Sequence, residues 1–139
     1  MLTLAGAFEE IRDAPMRKRV LIAVQGERGD RGNCRWLPAS IGKHGEFRCD
    51  AASDAEIELD DDALDAVRLF DAGSLSSCAL IVHLGALGVG ALILGPESPT
   101  DAMRMMEQLK ANALDRFVEN YLAELQQRRP AKVYPFRPR

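Results

Sequence analysis

Three cysteines, two histidines and one acid-rich stretch are the residues of this chain whose types suit chemistry. Cys34, His44, Cys49, Cys78 and His83 together carry the donor atoms of a zinc site. Their spacings, Cys-x9-His-x4-Cys and Cys-x4-His, lack the tight ligand pairs of zinc modules. In a strand, positions 78 and 83 also point to opposite faces. No metal is expected. A cysteine nucleophile needs a base within reach and a third group to orient that base. Cys34 or Cys49 with His44 meets this only if folding brings them together, which leaves a small thiol-dependent enzyme as the third functional alternative. We expect no catalytic residue and no cofactor. Cys78 reads as a small core residue. His83 reads as either a hydrogen-bonded buried histidine or a pocket wall.

Residues 50–65 hold eight carboxylates and no base. They could suggest paired acid–base work or calcium. However, Asp60-Asp61-Asp62 lacks the turn glycine and the twelfth-position glutamate of an EF-hand loop. A solvated acidic loop leading into a helix cap is the expectation. Gly85-x-x-Gly88-x-Gly90 resembles a phosphate cradle, but such a loop must lead from a strand into a helix. Here it leads from strand to strand, so a hairpin turn is expected. Arg28-Gly29-Asp30 is read as a coincidental tripeptide. Residues 128–139 hold five bases and no acid, with Tyr134 and Phe136 interleaved. Stacking plus cationic contact can hold single-stranded nucleic acid. A net charge of −3 argues against a polyanion partner, so the candidates Lys132, Tyr134, Phe136 and Arg137 are read as a docking arm for a protein partner. That arm could also pair with the acidic stretch of a second copy, giving a homodimer.

Other elements must position these residues. At 139 residues with 47% apolar content, the chain can build one core without staples. Its first ten residues include Glu9 and Glu10 and no base, so no secretory leader is expected. No apolar run approaches bilayer length. An odd cysteine count in such a chain points to a reducing, cytoplasmic setting.

A first helix is predicted over Thr3–Ala14, and a strand over Lys18–Gln25. Two or three weaker strands are expected near Arg35–Ile41, Gly45–Cys49 and Ala55–Leu59. Pro38 suggests an edge or irregular strand. Acids before Ala63–Ala72 and Gly73 after it bound a second helix. Cys78–Leu84 and Val89–Leu94 are apolar on both faces, which predicts paired strands in the middle of a sheet covered on two sides. Ser98-Pro99-Thr100-Asp101 opens a third helix. Its apolar stripe runs from Met103 and Met106 through Leu109, Ala113, Leu114, Phe117, Val118, Tyr121 and Leu122 to Leu125. Pro130 is expected to end it near Gln127. The predicted fold is α+β, in the order α-βββ-α-ββ-α. A mainly antiparallel sheet of about five strands carries three helices in a single domain (1–129), with a basic extended tail (130–139).

Leu75–Gly95, with its serine-led apolar strand turning into a Gly-x-Leu-x-Leu-Gly-like strand, resembles the last strand pair of a GAF-type sensory domain over residues 70–127. This resemblance implies a small regulatory module binding a ligand or a protein partner, with no site residue carried over. From the residues themselves, His83, Arg68 and Trp36 are the ligand-pocket candidates. In size, acidity and element order the chain is also similar to the acidic homodimeric chaperones of bacterial type III secretion. That likeness implies, as the alternative function, capture of an unfolded client segment.

Overall fold

A computed structural model describes residues 3–25, 34–49 and 57–133. The architecture is α+β: three helices and a five-stranded antiparallel sheet, in the predicted order. Helix α1 spans Leu4–Ile11. Its N-cap Thr3 accepts a hydrogen bond from the Gly6 N–H at 3.1 Å. A short 3-10 turn, Met16–Lys18, leads into β1 (Arg19–Gln25). Strands β2 (Cys34–Ile41) and β3 (Phe47–Arg48) follow. Helix α2 (Asp61–Asp71) separates these from β4 (Cys78–His83) and β5 (Val89–Leu94), and α3 spans Pro99–Val133. The strand order is β3-β2-β1-β5-β4. No helix among the described residues is long and apolar enough to cross a membrane.

Register gives the sheet two distinct faces. Val20, Ile22, Leu37, Ala39, Leu92, Leu94 and Val82 share one of them. Ala63, Val67 and Phe70 of α2 join this cluster, with Ile57 and Leu59 from the chain before the helix. The opposite face aligns Leu21 with Pro38 and Ile93, and Ala23 with Trp36 and Ala91. Helix α1 packs there, over β1 and β2. Arg19 holds it in place: its guanidinium sits 5.9 Å from the Phe8 ring centroid and donates to the Ala14 and Arg12 carbonyls, each at 2.9 Å. The first turns of α3 bury Ala102, Met105 and Met106, while Met103 is exposed.

Three expectations need correction. Strand β4 is the outermost strand, not a central one, and Ile81 on it is 56% exposed. Of the two strands, β5 alone is buried on both faces, from Ala91 to Leu94. Pro38 lies one strand in from the edge, yet β3 reaches only Ser40 and Ile41. Beside Pro38, β2 therefore has no strand on its outer side among the described residues, and the missing N–H breaks no ladder. Helix α3 does not stop near Gln127 but continues to Val133, carrying Pro130 in its last turn. A proline so near the end can remove only a terminal backbone bond, so the body of the helix is unaffected. The chain divides into two compact units, Met1–Met106 and Glu107–Arg139.

Candidate functional site

The three ligand-pocket candidates do not converge. Trp36 sits on β2 at 5% exposure, sealed in the face that α1 covers. Arg68 lies on the outer side of α2, because Ala63, Val67 and Phe70 take the sheet-facing positions at helical spacing. Its guanidinium pairs with Asp65 one turn back, at 3.2 Å, in solvent. Arg68 and Trp36 thus belong to opposite sides of the sheet. His83 ends β4 and is exposed, contrary to both readings of it as an enclosed side chain. The cause is topological: on an edge strand, the positions facing away from α2 have no layer above them. Its backbone N–H donates to Asp60 Oδ2 at 3.4 Å.

Asp60 does two jobs here. Its other oxygen accepts the Ala63 N–H at 2.8 Å, which makes it the N-cap of α2. The acidic stretch around it includes Glu58, Asp61 and Asp62, all exposed, as expected for a solvated run leading into a cap. The remainder of residues 50–56 lies outside the described residues, and so do Gly26–Asn33.

Among the described residues, no group of three or more His, Cys, Asp and Glu could hold a metal ion. Cys78 and His83 do lie on opposite faces, with Cys78 half-buried against the α2-side core. Burial pushes the Cys78 thiol above its ordinary pKa, so it is a poorer nucleophile than a solvated thiol. The Cys49 thiol is buried and donates to the Pro38 carbonyl at 3.4 Å. His44 is exposed in the turn before β3, where its N–H donates to Glu46 Oε2 at 2.9 Å. Of the docking-arm candidates, Lys132 lies within α3, while Tyr134, Phe136 and Arg137 lie outside the described residues.

The glycine cluster is a hairpin turn, as its strand-to-strand placement implies. Leu84 N–H donates to the Gly88 carbonyl at 2.7 Å across it. Gly90 is set by close approach: a Cβ there would fall 2.5 Å from the Ala23 carbonyl oxygen. Gly85 takes φ +64 and would press a Cβ to 3.0 Å from Glu58 Cβ.

Two surfaces stand out instead. The second unit, taken by itself, exposes Leu114 (63%), Val118, Tyr121, Leu122 and Leu125 along α3. Positions 114, 118, 121 and 125 are spaced 4-3-4, the seam of a helix that pairs with another helix. The second surface is the outer edge of β4. The sequence signalled the first as part of a longer stripe that also took in Met103, which is exposed, and Met106, which is buried. The second had no local signal, because strand order depends on contacts distant in sequence. No family model, curated protein or solved structure matches the chain.

Proposed function

We propose that this chain is a non-catalytic regulatory module that works as a homodimer in a reducing compartment, self-associating through the second half of α3. The carrying observation is the exposed row of Leu114, Val118, Tyr121, Leu122 and Leu125. Five large apolar side chains on one helical face exceed the isolated exposed leucines normal for a monomer. Burying each would contribute about 1.5–3 kcal/mol before the cost of association. A second copy is the natural occupant, because a 4-3-4 seam is complementary to its own duplicate. Of the two partner classes considered, small ligand or protein, the protein is favoured: His83, Arg68 and Trp36 supply no common cavity wall. The fold keeps the element order of the type III secretion chaperones, which supports the dimer without supplying any residue to this surface.

The test is sedimentation equilibrium of the full chain. A species at twice the 15.3 kDa chain mass is expected. The double variant Leu114→Glu/Leu122→Glu should run as a monomer with an unchanged thermal midpoint for the sheet. A wild-type monomer at about 100 μM would end this reading, since a dimer weaker than that lies outside the range of stable association.

A further inference from the structure

The geometry points to the open edge of β4 as a second docking site, for an extended apolar segment of another protein that ends in a basic residue and adds to the sheet as a sixth strand. It belongs to the first unit and does not depend on whether α3 self-associates.

The backbone of this edge is available. The Leu84–Gly88 hydrogen bond marks the even positions of β4 as those turned toward β5. Alternation along an antiparallel ladder then turns the N–H and C=O of Ala79, Ile81 and His83 outward. The outward His83 N–H is met by Asp60, and the next carbonyl, that of Leu84, accepts from the Glu58 N–H at 3.4 Å. The protein's own chain thus begins to line this edge and then leaves it to enter α2. Among the described residues, Ala79 and Ile81 continue the same row without a strand beside them.

The edge also lacks the usual protection. Exposed edges are commonly blunted by Lys, Pro, a bulge or an inward charge. Residues 74–90 contain no Lys, Arg, Asp, Glu or Pro. Ile81 is 56% exposed on one face, while Cys78 and Leu80 are half-buried on the other. A strand laid here meets apolar side chains on both faces, so its own residues must be uncharged along about five positions at ~3.3 Å each.

Charge selects the end of the segment and the kind of partner. Where the edge closes, Asp60, Asp61, Asp62 and Glu58 gather without a basic neighbour in any ion pair among the described residues. A Lys or Arg at the matching end of the incoming segment would answer them. A second copy presenting its own β4 brings residues 74–84 to that point, and these hold no Lys or Arg. The basic stretch 128–139 of a second copy is broken by Pro130, Pro135 and Pro138, which cannot donate to a ladder, so the occupant is a segment of a different chain.

The probe is a fluorescein-labelled peptide, Lys-Arg-Thr-Val-Ile-Val-Thr-Val-Ser-Gly, titrated with the full-length protein and followed by anisotropy. Saturable binding is expected at tens of micromolar, roughly −6 kcal/mol. Replacing its Lys-Arg by Glu-Glu should weaken binding about tenfold, and methylating alternate backbone nitrogens should abolish it. Ile81→Pro removes an outward N–H that bonds to no other strand, so the fold should survive while binding is lost. Should that variant unfold, hydrogen exchange on the wild type still decides: peptide must slow the Ile81 and Ala79 amides about tenfold. The Leu114→Glu/Leu122→Glu protein should bind like the wild type. No binding at about 1 mM peptide, equal binding by Ile81→Pro, or unchanged exchange at Ile81 would overturn the assignment. So would a wild-type dimer that only Ile81→Pro dissociates, since a second copy would then hold the edge.

Discussion

The two edges of this sheet are built on different rules. Strand β3 is two residues long, and it ends the sheet with an exposed arginine whose guanidinium pairs with Glu46 at 3.0 Å. The turn before it is closed by bonds from the Gly42 N–H to the Glu46 carbonyl (2.7 Å) and from the His44 N–H to the Glu46 carboxylate (2.9 Å). Strand β4 is six residues long, holds no Lys, Arg, Asp or Glu, and leaves an isoleucine in water. A short charged edge cannot template another strand, whereas a long neutral one invites it. Among the described residues, the sheet thus ends in a short charged strand on one side and a long neutral one on the other, and the neutral one suits a surface kept for binding.

The largest expected effect comes from prising the open half away from the closed half. Gly90 lies where β5 meets β1, and any Cβ there collides with the Ala23 carbonyl at 2.5 Å and with Leu84 Cδ1 at 2.6 Å. The first contact is backbone and cannot rotate aside. Gly90→Val should therefore destabilise the fold by about 2–3 kcal/mol and lower the thermal midpoint by roughly 10 °C. An unchanged midpoint by circular dichroism would mean that β1 and β5 do not approach this closely. If the variant stays folded at 25 °C, exchange at Leu80, whose N–H faces β5, should rise before exchange at Leu37, since the β4–β5 hairpin is the half set loose.

Much of this contrast was hidden in the sequence, for physical reasons. The β-branched run Val20–Val24 marked β1, and the Asp60 and Ser98 caps marked where α2 and α3 begin. Both caps are made, by the Ala63 and Asp101 N–H groups respectively. These signals are local and survive any tertiary context. Cys78–His83 carried an equally strong strand signal, but its apolar run read as central, since nothing local distinguishes a strand buried on both faces from one left open to receive a partner. The three pocket candidates failed to meet for the same reason. Trp36, Arg68 and His83 were chosen by residue type, and whether they share a face depends on strand order and on which side α2 lands. The α3 stripe was legible as a period. Its exposure was not, because periodicity groups residues by face and says nothing of whether a face is covered: of the residues named in it, Met106 is buried while Met103, Leu114, Val118, Tyr121, Leu122 and Leu125 are exposed.

A smaller effect tests how the closed side is tied down. Lys18 Nζ reaches Asp71 Oδ1 at 2.6 Å and the Gly42 carbonyl at 3.2 Å, joining the start of β1, the end of α2 and the β2–β3 turn. Both side chains are largely covered, at 29% and 20% exposure. Lys18→Met keeps the stem but strands the Asp71 carboxylate, and should cost about 1 kcal/mol in urea unfolding. Asp71→Asn should cost less, and the double variant should show a coupling of about 0.5 kcal/mol or more. Strictly additive losses would mean that the three segments are held by packing alone. Among the described residues no ion pair involves β4, so Ile81→Thr should leave stability within about 0.5 kcal/mol of wild type.

The smallest effect belongs to acid, and it should touch one edge only. The Glu46 carboxyl is held below its ordinary value of 4.5, first by its own backbone N–H, with further help from the His44 N–H and the Arg48 guanidinium. A depressed carboxylate stabilises the fold fully above its ordinary value and loses that contribution as pH falls through the lower, folded one. The clasp before β3 should accordingly stay closed at pH 5 and open only below the usual carboxylate range. Nitrogen–proton spectra recorded from pH 6 downward should show the His44 and Gly45 amides shifting in that lower window, while the Ala79 and Ile81 amides stay put. Because Glu46 and Arg48 are in contact with water, added salt should raise the midpoint of the His44 shift by screening the arginine. Salt should leave the hydrogen bond from Glu46's own N–H intact, so the midpoint should stop short of the ordinary value. A midpoint that reaches it in high salt would make Arg48 alone the anchor of this edge. A shared midpoint at His44 and Ile81 would instead mean that the two edges respond as one cooperative sheet, and that their different construction does not make them independent.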